Sequence, residues 1–261
     1  MAGHMLTAMD MTGQRTGHAP TAGLYPDDPL ASPMWEAHAK TLFGSDPVRF
    51  DTRLRVTYPQ IAENQHVFPV AVDARGIGSI RRLVILADLN PIPFAVDYQP
   101  LAAAPYIATC IKLDQRTPVR GAAQMADGQW LVNGGWVDAA GGGCSAPPSS
   151  RIRGDWAEHL GEMRGGAWPT QEGATALLRV LVRHPMDTGF VANIPTYNLE
   201  KMVIESPSGA PLGSMDLTAA ISEDPEITLM PHAAAGDVLA IDALDSNGRA
   251  YRATVTVGAA L

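Results

Sequence analysis

The residue with the most chemical promise is Cys144, which closes the run Asp138-Ala139-Ala140-Gly141-Gly142-Gly143-Cys144 and is followed by Ser145-Ala146-Pro147-Pro148. A thiolate is a nucleophile that can hold another group covalently. A free cysteine titrates near ~8.5, so only a few per cent is ionised at neutral pH. No Lys, Arg or His lies within five residues of Cys144, and the nearest cations along the chain are Arg151 and Arg153. A rigid catalytic nucleophile needs a neighbouring base and an ordered setting. Three consecutive glycines supply neither. They predict a flexible arm, Gly141, Gly142 and Gly143, on which Cys144 is either an incidental thiol of a linker or a handle thin enough to enter a narrow cleft and be activated by others.

The other reactive side chains promise less. Cys110 lies in the alternating apolar stretch 106–113 and is expected to be a small core residue. Two cysteines are too few for a disulfide framework, but one Cys110–Cys144 bridge is compatible with the count and would disarm or regulate the handle. No CxxC or Cys/His cluster has metal-ligand spacing and the seven histidines are scattered, so neither a metal nor a cofactor is expected. His184, followed by Pro185 and Met186, is expected to shape a strand-end turn at a domain contact. Trp130 and Trp136 flank the approach to Cys144 and are expected in a core or an interface.

Composition narrows the partners. With 19 basic against 27 acidic residues the net charge is −8, and no stretch is basic enough to track phosphates, so nucleic acid is not expected. No apolar run reaches the ~18 residues that a membrane-spanning helix needs.

The elements that must position Cys144 come next. The chain has 261 residues, 46% of them hydrophobic, enough for one large domain or two small ones. Met1-Ala2-Gly3-His4-Met5 reads as a tag remnant, and residues 1–30 as that remnant plus a flexible lead-in. Ser32 and Pro33 predict a helix start, Met34, Trp35, His38 and Leu42 one face, and Gly44 the stop. Residues 51–138 then break into short apolar runs, with an Asp127-Gly128 hairpin turn. Residues 145–176 read as a linker, with a short helix over 155–163 stopped by Gly165-Gly166. From 177 to 257 strand patterning returns, with an Asn247-Gly248 hairpin turn. The prediction is an all-β protein of two immunoglobulin-like sandwiches packed on each other, 31–144 and 177–261.

Both halves carry motifs. The first has Ile61-Ala62-Glu63-Asn64, Phe68-Pro69-Val70-Ala71-Val72, Ala87-Asp88-Leu89-Asn90-Pro91-Ile92-Pro93 and the glycine-flanked Cys144. The second has Val182-Arg183-His184-Pro185-Met186-Asp187-Thr188-Gly189, Ile194-Pro195, Ala220-Ile221-Ser222-Glu223-Asp224-Pro225 and Ala235-Gly236-Asp237. In these motifs the first half resembles SoxY and the second resembles SoxZ, the two subunits of the SoxYZ carrier of thiosulfate oxidation. The resemblance is strongest to the fused form found beside quinoprotein dehydrogenases. It implies immunoglobulin-like folds and a non-enzymatic carrier whose covalent attachment residue is Cys144. It also implies export to the periplasm, with the signal peptide removed from this chain. The partners it implies are sulfur-oxidising periplasmic enzymes and c-type cytochromes, together with a quinoprotein dehydrogenase. In that family the arm ends freely as Gly-Gly-Cys-Gly-Gly, whereas here the chain runs on past Cys144, so the arm is tethered at both ends and reaches out as a loop. Two other readings stay open on the residues: a non-covalent adaptor in which Cys144 is incidental, and a redox protein cycling a Cys110–Cys144 disulfide.

Overall fold

In the computed structural model of the chain, residues 24–171 and 174–258 are described. The expected tag remnant and most of the lead-in, residues 1–23, lie outside the described residues. Residues 24–30 belong to the packed structure. There the Asp28 carboxylate accepts two N–H bonds from Arg120, at 2.9 and 2.7 Å. Arg120 is buried and donates also to Asp88, so one guanidinium neutralises a carboxylate of the sheet and one of the lead-in. Helix α1 (Trp35–Phe43) follows, two residues later than the Ser32-Pro33 signal suggests. The Ser32 hydroxyl accepts the Met34 N–H at 3.4 Å, within the turn that precedes the helix. Gly44, at φ +58, ends it. The helix buries Trp35, Ala39 and Phe43 against Val84, Ala122, Trp130 and Val132.

The first unit is β1 (Val48–Phe50), β2 (Arg55–Thr57), β3 (Ile61–Ala62), β4 (Phe68–Asp73), β5 (Ile80–Ala87), β6 (Phe94–Gln99), β7 (Ala103–Ile111), β8 (Thr117–Met125) and β9 (Trp130–Ala139). Beyond Cys144 come α2 (Ser149–Arg153) and then β10 (Met163–Pro169), β11 (Ala176–Val182), β12 (Leu199–Glu205), β13 (Pro211–Leu217), β14 (Glu226–Pro231), β15 (Val238–Asp245) and β16 (Ala250–Thr256). Both anticipated Asx-Gly hairpins form, between β8 and β9 and between β15 and β16, with Gly128 at φ +91 and Gly248 at φ +78.

The two units do not pack as separate sandwiches. One sheet runs β1-β9-β8-β5-β6-β13-β12-β15-β16 with β3 alongside β9, and the other runs β10-β11-β14-β7-β4-β2. Both sheets cross the boundary, through β6 with β13 (Tyr98 opposite Met215) and β7 with β14 (Ile107 opposite Leu229). The all-β, immunoglobulin-like expectation stands, with four strands facing three in the second unit. One apolar core spans both units, from Leu54 to Val257, beside the separate cluster under α1.

The region 145–176 departs from its reading as a linker. Its helix lies at Ser149–Arg153 rather than over 155–163, and Met163 opens an edge strand. Gly165-Gly166, expected to stop a helix, sits inside β10. A Cβ on Gly165 would lie 2.8 Å from the Arg179 carbonyl of β11, so the glycine permits close strand approach.

Candidate functional site

The chain leaves β9 at Ala139 and turns through Gly141 (φ +101) and Gly142 (φ +89), conformations that favour glycine. Gly143 then threads a slot between two backbones. A Cβ on it would lie 2.3 Å from the Gln65 carbonyl oxygen and 2.5 Å from that of Leu113. Its N–H donates to the Leu113 carbonyl at 3.1 Å. The Cys144 N–H donates to Asp114 Oδ1 at 3.1 Å, the Ser145 hydroxyl donates to the same oxygen at 3.1 Å, and the Cys144 carbonyl accepts the Thr188 hydroxyl at 2.6 Å. Cys144 is fully buried and its thiol is free. The glycine run is a turn whose end is pinned by these hydrogen bonds. Small residues give freedom where nothing surrounds them. Here Gly141 and Gly143 let the backbone fit where a side chain would collide.

Burial pushes the Cys144 thiol up to about 11, the Asp114 carboxylate adds to the rise, and the Lys112 ammonium works against it. Cys144 in its seat is a neutral, unreactive thiol. Lys112 is itself buried. Its Nζ donates to the carbonyls of Met186, Ala219 and Ile221 at 2.6, 2.8 and 2.9 Å, all from the second unit. Three carbonyl dipoles do not repay full desolvation, so its pKa falls to about 8. Asn90, from the Asp88-Leu89-Asn90-Pro91 motif, joins these residues, donating to the Lys112 carbonyl at 2.7 Å and accepting the Asp114 N–H at 3.0 Å.

The motif around His184 builds the opposite wall. His184 Nδ1 accepts the Met186 N–H at 3.1 Å across a turn with Met186 at φ +51, the strand-end turn that was anticipated. Burial pushes the imidazole down to about 4. Its Nε2 has no hydrogen-bond partner among the described residues and lies 4.0 Å from Asp245 Oδ2, which accepts the hydroxyls of Tyr197 and Tyr251. Met186 offers its carbonyl to Lys112, Asp187 pairs with Arg151, and Thr188 holds Cys144. Consecutive residues of one motif thus grip both the lysine and the cysteine.

A cavity of about 250 Å³ adjoins the seat, lined by Asn64, His66, Lys112, Gly143, Pro148 and Glu223. Cys110 lies elsewhere and is not in the core. It faces outward from β7 into an open groove with Tyr58, Pro69, Ala71 and Thr228, because the strand's alternation turns Ile107, Thr109 and Ile111 inward. Trp130 is in the core beneath α1, and Trp136 donates to the Leu30 carbonyl at 3.0 Å. Among the described residues no group of three or more His, Cys, Asp or Glu side chains could hold a metal ion, and no helix is long and apolar enough to cross a membrane.

Sequence reasoning missed Lys112 and Asp114, and it held Thr188 and Glu223 only as members of longer motifs. The signal for Lys112 was its position, one cation between Ile111 and Leu113 at the end of an apolar strand.

The chain matches two family models: sulfur oxidation protein SoxY over residues 39–144 and sulphur oxidation protein SoxZ over 163–256. Among solved structures it is similar to the sulfur carrier protein SoxY from Chlorobium limicola f thiosulfatophilum, with 21% identity over 40% of this chain and 90% of that chain and a TM-score of 0.37. It is also similar to SGBP-B of the Bacteroides ovatus mixed-linkage glucan utilization locus, with 15% identity over 77% of this chain and 46% of that chain and a TM-score of 0.21. No curated protein matches it.

Proposed function

We propose a covalent carrier role, on the premise that the chain belongs to the SoxYZ family of sulfur-oxidation carriers, with a SoxY domain and a SoxZ domain in one polypeptide. Cys144 Sγ holds a sulfur-containing intermediate and the loop around it presents that intermediate to separate oxidation enzymes. The chain itself supplies no catalysis. The observation that carries this reading is the seat: the residue on which the SoxY match ends is clasped by groups of both domains. A thiol sealed at a pKa of about 11 is suited to waiting rather than reacting. Reactivity then comes from a partner that draws Cys144 into its own active site and ionises it there.

The setting we propose is the periplasm. The partners are sulfur-oxidising enzymes and c-type cytochromes, with a quinoprotein dehydrogenase as an additional one. Cys110 faces its own groove, lined by none of the residues around the cavity at the Cys144 seat, and this supports the carrier over a disulfide cycle.

Intact-mass analysis of the protein purified from its native compartment without reductant tests the reading. The expected result is a sulfur adduct that maps to Cys144 and vanishes with thiol reductant. A Cys144 that is always unmodified, together with normal sulfur oxidation in a Cys144→Ala strain, would sink it.

A further inference from the structure

We propose that Thr188, Asp114 and Glu223 are positioning residues that set how often Cys144 is presented, because they latch the segment Gly143 to Arg153 as a flap between two glycine hinges. This deepens the carrier reading and rests on it, yet access to the thiol can be measured whatever the thiol carries.

The hinges are Gly141 and Gly142 on one side and Gly154, at φ +82, on the other. Among the described residues nothing lies within 4 Å of where a Cβ would stand on Gly142 or Gly154, so both have room to rotate. Between the hinges only Gly143, Cys144 and Ser150 are buried, and Ile152 is 74% exposed. Almost no apolar area holds the flap down. Segments with few buried apolar contacts open locally at low cost compared with global unfolding.

Polar pins hold it instead. Asp114 Oδ1 accepts from Cys144 N and Ser145 Oγ, and Thr188 Oγ1 donates to the Cys144 carbonyl. Farther along, the two Glu223 carboxylate oxygens accept the N–H groups of Ser149 and Ser150 at 2.7 and 2.6 Å, and Arg151 pairs with Asp187. Thr188, Glu223 and Asp187 belong to the second unit, so the SoxZ half fastens the strap that carries the SoxY cysteine. Released, Cys144 sits five residues from the end of β9 and can reach out by about 17 Å at full extension. A chain that must project its cysteine as a loop, with no free end to swing, needs such a hinge on the far side too.

The test alkylates the full chain with iodoacetamide and resolves Cys144 from Cys110 by peptide mass, with thermal melting measured alongside. In Thr188→Val the Cys144 rate should rise about fivefold, the weight of one hydrogen bond. In Glu223→Gln, where the amide nitrogen can accept neither N–H, so that one charge-assisted bond is lost and the other becomes neutral, it should rise about tenfold. Thr188→Ser restores the hydroxyl and should return the wild-type rate, and Cys110 should react unchanged throughout. The proposal is overturned if Cys144 stays within about twofold of wild type in both variants. It is equally overturned if Cys110 accelerates in step with Cys144 as the melting temperature falls, which would mark general loosening. An unloaded Cys144 in the cell would defeat the carrier reading and leave these rates as they are.

Discussion

Cys110 lies in a regular β-strand and faces an open groove, whereas Cys144 lies in a glycine-rich turn and is fully buried. Local chain character points the other way on both counts. What decides is the set of groups that converges on each thiol. Around Cys110 are Glu226 and Arg179, whose opposed charges act on a half-buried sulfur. Around Cys144 are Asp114, Lys112 and Thr188, each fixed by hydrogen bonds. Exposure and reactivity in this molecule are tertiary properties, and the glycines serve the sealed site by making room for it.

Four measurements would break or sharpen that contrast. Lys112→Met should have the largest effect. Three carbonyls of the second unit lose their common donor, for a loss of about 3 kcal/mol by urea unfolding, and Cys144 should then alkylate nearly as fast as Cys110. Unchanged stability would show that Lys112 does not organise the seat.

The second is the alkaline limb of stability. The folded Cys144 pKa, about 11, lies above the ordinary ~8.5–9 of a free thiol, so the thiol contributes stability below about pH 9 that is lost as pH rises through 11. Relative to Cys144→Ser, the wild type should lose roughly 2 kcal/mol between those limits. Parallel pH profiles of the two proteins would contradict a buried neutral thiol. Third, at pH 8 the wild-type protein should alkylate at Cys110 at least about tenfold faster than at Cys144, because reaction follows thiolate content and access. Equal rates would erase the contrast. Smallest is Asp114→Asn, which keeps an acceptor for the Cys144 N–H but removes the charge. The Cys144 pKa read from the pH dependence of alkylation should fall by less than about one unit. No fall at all would leave burial as the sole cause.

The sequence disclosed what local chemistry encodes. The hairpin glycines Gly128 and Gly248, the strand alternation and the turn at His184 all follow from neighbours a few residues apart. The seat was hidden because its parts are distant in the chain: Asp114 stands 30 residues before Cys144 and Thr188 44 residues after it. Cys110 shows a different limit. Alternation at period two says that neighbours face opposite sides but not which side is the core, so a one-residue choice of register decides whether the thiol is inside. Gly165 carried a third ambiguity. Its meaning as a stop or as a close strand contact depended on Arg179 across the sheet.

The strand pairs that carry both sheets across the boundary have a consequence for how the protein is made. As the chain emerges from the ribosome, β6 and β7 are complete long before β13 and β14 exist to pair with them. Roughly 120 residues separate β6 from the end of its partner, so at about 5–20 residues per second the edge waits on the order of 6–24 s. Exposed edges of that kind invite pairing with other nascent chains. Joining the two halves in one polypeptide ensures that the right partner arrives on the same molecule, at a fixed delay and without a search.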